Sequence, residues 1–229
     1  MNSPEFNART VNHFTPSHEL TSADNSSGQY IQACTVLLKE YLPQVDFSQD
    51  EIEKLTGYKE GLSTWGTQHL LSLNDLGIET AWVENIDLDY FSLAPFEYMH
   101  TQFSDESAYR FQVGHSDLPL EARRAQEYLD RGLLFEEREA TTDDVRQFLQ
   151  GGWLVRLEVN GKRLTDHPGY SAYSILVTGC NDDTVIFQNL DGASSQTPNQ
   201  QASWDVLEQA WQEFNDSKRL NAYRLLRQE

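Results

Sequence analysis

Helical spacing appears first at Cys34, Leu37, Leu38 and Tyr41, at i, i+3, i+4 and i+7, which predicts a helix over about Ala33–Leu42 that Pro43 stops. Ser48-Gln-Asp-Glu51 has the form of a capping box and opens a second helix through about Leu55, ended by Thr56-Gly57. Thr64 is placed to cap a third helix carrying Leu70, Leu71, Leu73 and Leu76, with Gly77 as its stop, and Ile78–Val83 follows as a strand. From Asn85 to Asp117 the pattern loses its period, and aromatic residues are scattered through an irregular stretch. Leu118–Arg131 is again helical, Leu133–Glu137 is a short strand, and Thr142 caps a helix over Asp143–Leu149 that Gly151-Gly152 ends.

Beyond Gly152 the period shortens to two. Trp153–Val159 predicts a strand, Asn160–Gly169 a polar loop, and Ala172–Gly179 a strongly apolar strand. Asn181-Asp182-Asp183 turns that strand into a hairpin partner, Thr184–Asn189. Ser203 caps Trp204–Phe214, and Leu220–Leu226 is the last strand. Helices gathered in the first half and a β-meander in the second predict an α+β fold with two lobes. Residues Met1–Ser27 are rich in Ser, Asn, Thr and Pro and are expected to be a flexible leader, with residues 28–229 forming one domain.

Charge narrows the partners. Seventeen basic residues against 36 acidic ones give −19, a surface that repels nucleic acid and anionic membranes and suits a basic partner. No apolar run approaches the length of a membrane span, and the N-terminus lacks a signal pattern, so a cytoplasmic location is expected. The six histidines show no zinc-ligand spacing, and no phosphate loop or GxSxG elbow is present; no metal or cofactor is expected.

The candidate chemistry gathers in Gly28–Leu42, where a polar loop gives way to an apolar helix with Cys34 in its first turn. A thiol there sees unpaired backbone N–H groups and the positive end of the dipole, which favour the thiolate. The same spacing also puts Cys34 on the buried stripe of an amphipathic helix, where a cysteine serves as a small apolar residue. Both readings stand on the residues alone.

The order of elements, with a cysteine opening a helix and a late antiparallel hairpin, resembles the papain-like cysteine peptidases, in particular the bacteriocin-leader peptidases. The resemblance runs from about Gln29 to Trp211. It is strongest over Gly169–Gly192, GYSAYSILVTGCNDDTVIFQNLDG, and extends to the segment Leu207–Trp211. It implies a helical N-terminal lobe packed on a C-terminal antiparallel sheet lobe. It also implies Cys34 as nucleophile, with Gln29, or else Gln32, as the oxyanion residue. Tyr173 falls where the family has its histidine, and Asn189 where it has the orienting Asp; Thr35 and Leu190 also depart from the pattern. A phenol with a pKa near 10 is a poor general base at pH 7, and His167, six residues upstream, is the histidine nearest in sequence. Two functions follow as expectations: an impaired, pseudo-peptidase cleft that binds a peptide or protein, or an active acyl hydrolase or transferase working through a Cys34 thioester.

Overall fold

The computed structural model describes residues 25–190, 199–214 and 218–226. The expected leader, with His13 and His18, lies outside them, except that Asn25–Ser27 belong to the first helix. That helix, α1, spans Asn25–Tyr41 and so begins well before the predicted start. It is followed by α2 (Gln49–Thr56), α3 (Gly66–Asp75) and strand β1 (Ile78–Glu84). The Ser48–Glu51 capping box forms as expected, with Gly57 in the left-handed conformation (φ 72°) closing α2.

The irregular aromatic stretch is helical. It forms α4 (Leu88–Leu93), α5 (Pro95–Gln102) and α6 (Glu106–Gly114), punctuated by Asp87 and Asp105, which cap two of them. Each is short enough that the hydrophobic period never repeats, which is why the pattern looks aperiodic. Then come α7 (Leu118–Asp130), β2 (Leu134–Glu137) and α8 (Thr142–Gln150). The cap of α8 is Thr141, one residue earlier than predicted, because Asp144 closes a capping box with it.

The second half supplies β3 (Leu154–Asn160), a four-residue helix α9 (Gly161–Leu164), β4 (Ala172–Cys180), β5 (Thr184–Asn189), β6 (Gln200–Ser203), α10 (Trp204–Gln212) and β7 (Leu220–Leu225). The short α9 falls in the predicted loop, and β6 was not anticipated. Ser203 caps α10 as expected.

Among the described residues the fold is α+β, with ten helices and a mixed sheet of order β2-β1-β7-β3-β4-β5-β6. The strands of the C-terminal half, β3 to β7, pair antiparallel, and two strands from the first half extend that sheet. β1 joins the sheet antiparallel to β7, and β2 lies parallel to β1 at the edge. A strand from the first half pairs with the last strand, so the sheet belongs to both halves of the chain.

Alternation along the central strands divides two cores. Val155, Leu157 and Val159, with Ile175, Val177 and Ala222, face α8 and α10. Leu154, Leu176 and Tyr223 face the other way, toward α1, α3, α4 and α7. With both faces covered, every residue of β3 is buried, including Arg156 and Glu158, which fall on the α1 face.

Candidate functional site

The cysteine is not at a helix end. Cys34 stands nine residues into α1, fully buried among Leu37, Leu38, Leu70 and Tyr223. Burial pushes its thiol up to about 12, so the helix dipole offers no compensation at this depth. Of the two readings of Cys34, the geometry matches the buried stripe. Gln29 lies on the same helix, also buried, five residues earlier and hence roughly 140° around the axis.

Tyr173 is on the wrong side of the sheet for a partner of Cys34. It alternates with Ser174 on β4 and packs with the α8/α10 core, its ring laid flat over Gly161. A Cβ at position 161 would sit 1.8 Å from the Tyr173 ring, so glycine is required there for space. Asn189 pairs directly with Ile175 and shares that face, whereas its neighbour Gln188 pairs with Leu176 on the α1 side. His167 is exposed beyond α9, with Nδ1 2.7 Å from the Thr165 carbonyl oxygen. The five predicted site residues are therefore not brought together.

The cavity lies elsewhere. About 410 Å³ opens where α1 and α3 begin and where β1 and β3 end. Tyr30 and the segment Ser63–Thr67 form one wall; Glu84, Glu158, Arg219 and Asn221 rise from the sheet opposite. Trp65, Trp82, Met99 and Phe103 supply apolar surface, Trp65 being stacked on Phe91 at 5.0 Å. None of Gln29, Cys34, His167, Tyr173 and Asn189 lines it. Tyr30 does, and Cys34 sits one turn deeper on the same helix face, about 6 Å along the axis.

A chain of charge runs beneath this cavity. Arg156 donates from Nη2 to Glu158 Oε1 at 2.8 Å and from Nη1 to Asn221 Oδ1 at 3.3 Å, with its guanidinium 4.1 Å above the Tyr30 ring. Arg219 donates from Nε to Glu158 Oε2 at 2.8 Å and also from Nη2 to that oxygen, while its Nη1 reaches Glu84 at 3.3 Å. The Trp82 indole N–H donates to the other Glu84 oxygen at 2.8 Å. Burial alone would raise the Glu158 carboxyl, but Arg219 and Arg156 override it and hold it down at about 2. Burial likewise dominates at Tyr30, whose phenol is raised.

Beside this chain His69 is fully buried, its Nε2 3.1 Å from the Tyr223 hydroxyl and its ring edge-on to Tyr223. Burial and the nearby Arg156 charge lower it to about 3, so it is neutral at physiological pH. Its Nδ1 has no hydrogen-bond partner.

The α3 end of the cavity is unusual for a helix start. Its N-cap is Trp65, which offers no side-chain acceptor. Thr64, predicted to cap the helix, instead lines the cavity with its hydroxyl shielded from solvent and unpartnered. Gly66 brings bare backbone against the cavity: a Cβ there would stand 2.8 Å from the Tyr30 hydroxyl.

The site leaves no motif in the sequence, for a definable reason. In LVRLEVN the alternation marks Arg156 and Glu158 as the polar face of a half-buried strand, which ordinarily meets water. Only the helices on both faces turn them into buried charges that require partners. Arg219 and Asn221, from the far end of the chain, supply them.

No protein-family model matches the chain, and no curated protein is significantly similar to it. No helix among the described residues is long and apolar enough to cross a membrane.

Proposed function

We propose that the chain is a binding protein that receives a peptide or protein partner in the cavity between α1, α3 and the sheet, with no thiol chemistry. The observation that carries this reading is the separation of parts. The open, mixed polar and apolar cavity described above contains no cysteine or histidine in its lining. Cys34 itself is sealed in the core with a strongly raised thiol pKa, whereas a nucleophile must meet its substrate and a base at hydrogen-bond range. The lining instead combines aromatic surface with a few fixed polar groups, as recognition sites do.

This reading keeps the resemblance to papain-like peptidases as that of a pseudo-peptidase. Supporting it are a long, buried first helix and the β4–β5 hairpin of the Gly169–Leu190 segment. The net charge of −19 favours a basic partner. A cytoplasmic setting belongs to the same proposal, supported by two free thiols, Cys34 and Cys180.

The test is binding of fluorescent peptide pools, basic and acidic, to the full chain and to Cys34→Ala, together with an assay for peptide and acyl turnover. Saturable binding of the basic pool by both proteins, weakened by salt and without turnover, is expected. Turnover that disappears in Cys34→Ala would overturn the proposal.

A further inference from the structure

Resting on that binding reading, we infer that the cavity recognises a carboxylate, specifically the free C-terminal carboxylate of a peptide with an apolar last residue. The recognition element is the uncapped start of α3 with Arg219 across from it.

The first N–H groups of a helix have no partner within it and point outward from its N-terminal end. In most helices a Ser, Thr, Asp or Asn takes up that role, as Ser48, Asp105, Thr141 and Ser203 do in this chain. In α3, a ten-residue helix, no side chain does so, and the end opens into the cavity. The Thr64 hydroxyl is a second, independent sign of a missing acceptor. Thr64 is only 9 % exposed and lines the same cavity, yet its oxygen has no partner.

The charges decide between a cationic and an anionic guest. Glu84 and Glu158 line the cavity, but both are committed to protein donors: Glu158 to Arg156 and Arg219, Glu84 to Arg219 and the Trp82 indole. Arg219 is the partly exposed member, at 35 % of its side chain, and a guanidinium has more N–H groups than these acceptors occupy. The uncapped N–H groups of α3 and the remaining N–H groups of Arg219 share this space, and a carboxylate fits them. Trp65, Trp82 and Phe103 border the same space and suit an apolar side chain next to that carboxylate. The acidic surface opposes an anion only over a screened range of about 8 Å at physiological salt, and a basic peptide body offsets it.

Fluorescence titration of the full chain, reading Trp65 and Trp82, tests this with N-acetyl-phenylalanine against N-acetyl-phenylalaninamide, and with peptide pools having free or amidated C-termini. A charge-assisted contact predicts at least about tenfold tighter binding of the acid and of the free pool. In Trp65→Asp the new carboxylate caps α3 from within and should erase that preference. Trp65→Ala removes the same ring without filling the end, and should bind both ligands more weakly with the preference kept.

Equal binding of acid and amide by the wild-type chain would overturn the carboxylate inference while leaving peptide binding intact. Binding of the acid without either peptide pool would support the carboxylate site and overturn the peptide reading. Absence of saturable binding throughout would overturn both. The wild-type comparison decides the question even if a Trp65 variant does not fold.

Discussion

Alkylation of Cys34 should be slow in the native protein and should show no inflection near neutrality. The perturbation is iodoacetamide added to a Cys180→Ser variant across a range of pH. A free thiol with a pKa of about 8.5 is about 9 % thiolate at pH 7.5, whereas one at about 12 is about 0.003 % thiolate, roughly three-thousandfold less. The more basic thiolate is the better nucleophile, and a Brønsted slope of about 0.4–0.5 recovers about 1.6 powers of ten. Ionisation alone then slows the reaction by about a hundredfold. The alternative route requires α1 to open, since Cys34 has no exposed surface. For a domain stable by about 5 kcal/mol, global opening would limit that route to about one part in several thousand. Both routes predict labelling at least about a hundredfold slower than glutathione, restored by denaturant. Mass spectrometry of quenched samples gives the rate. Labelling within tenfold of glutathione, with an inflection near pH 7, would refute both the burial argument and the thiol-free function built on it.

Three further outcomes follow from the same structure. His69 is held neutral, with its pKa lowered from an ordinary 6.5 to about 3. The unfolded chain therefore binds a proton that the folded one refuses; this stability is complete above about pH 6.5 and declines by about 1.4 kcal/mol per pH unit as pH falls toward 3. Urea midpoints at pH 7 and pH 5 should show about 2 kcal/mol of this loss in the wild type, and a His69→Leu variant should lack that component. Gly161→Ala should cost about 1–3 kcal/mol, because its Cβ would overlap the Tyr173 ring, and Tyr173→Ala in the same chain should recover much of it; additive costs in a double-mutant cycle would show that the two do not touch. Asp144 accepts from the Thr141 N–H at 2.7 Å and from both Arg138 Nη atoms at 2.7 and 2.8 Å, and these partners, Arg138 foremost, hold its carboxyl below the usual range. Asp144→Asn should cost about 1–2 kcal/mol at pH 7, and the difference from wild type should shrink as pH falls from about 4, where the unfolded chain's carboxyl protonates, through the lower pKa of the folded one; a difference that is constant with pH would remove the charge from the explanation.

What was legible in the sequence and what was not divide along a physical line. Local signals carried: the Ser48 capping box, the Ser203 cap and the Asn181–Asp183 turn each depend on residues within four positions, and each forms as expected. The Thr64 cap failed by the same local logic, because the N-cap falls one residue later, on Trp65, and leaves the Thr64 hydroxyl buried without a partner. The α1 start failed because the apolar stripe begins later than the helix, and polar residues such as Asn25 and Ser26 can occupy its first turn. Moving that start back took Cys34 from an activating helix end into the core, and the rest of the candidate site lost its centre with it. Strand alternation then separated the other members: Tyr173 and Asn189 lie on the α8/α10 face of the sheet, while Cys34 packs against the opposite face.

The site the structure offers was hidden by sequence distance more than by weak chemistry. Tyr30, Thr64, Glu84, Glu158 and Arg219 come from α1, the approach to α3, β1, β3 and the approach to β7, and no short motif can span them. A single strand does contain the clue. Arg156 and Glu158 occupy the central strand of a sheet covered on both faces, where unpaired charge would cost several kcal/mol. Exchange for apolar residues of similar size is often tolerated at such positions, so stability alone does not require an ion chain there. Its effect at the cavity is specific: the two arginines balance the Glu84 and Glu158 carboxylates, and Arg219, in the lining it shares with the uncapped end of α3, keeps further N–H groups to offer. Removing Arg156 would strip one of two cations from Glu158 and draw Arg219 more tightly to that carboxylate. Arg156→Met should therefore weaken carboxylate binding even though Arg156 does not line the cavity, and undiminished affinity in a folded variant would show that the two arginines act independently.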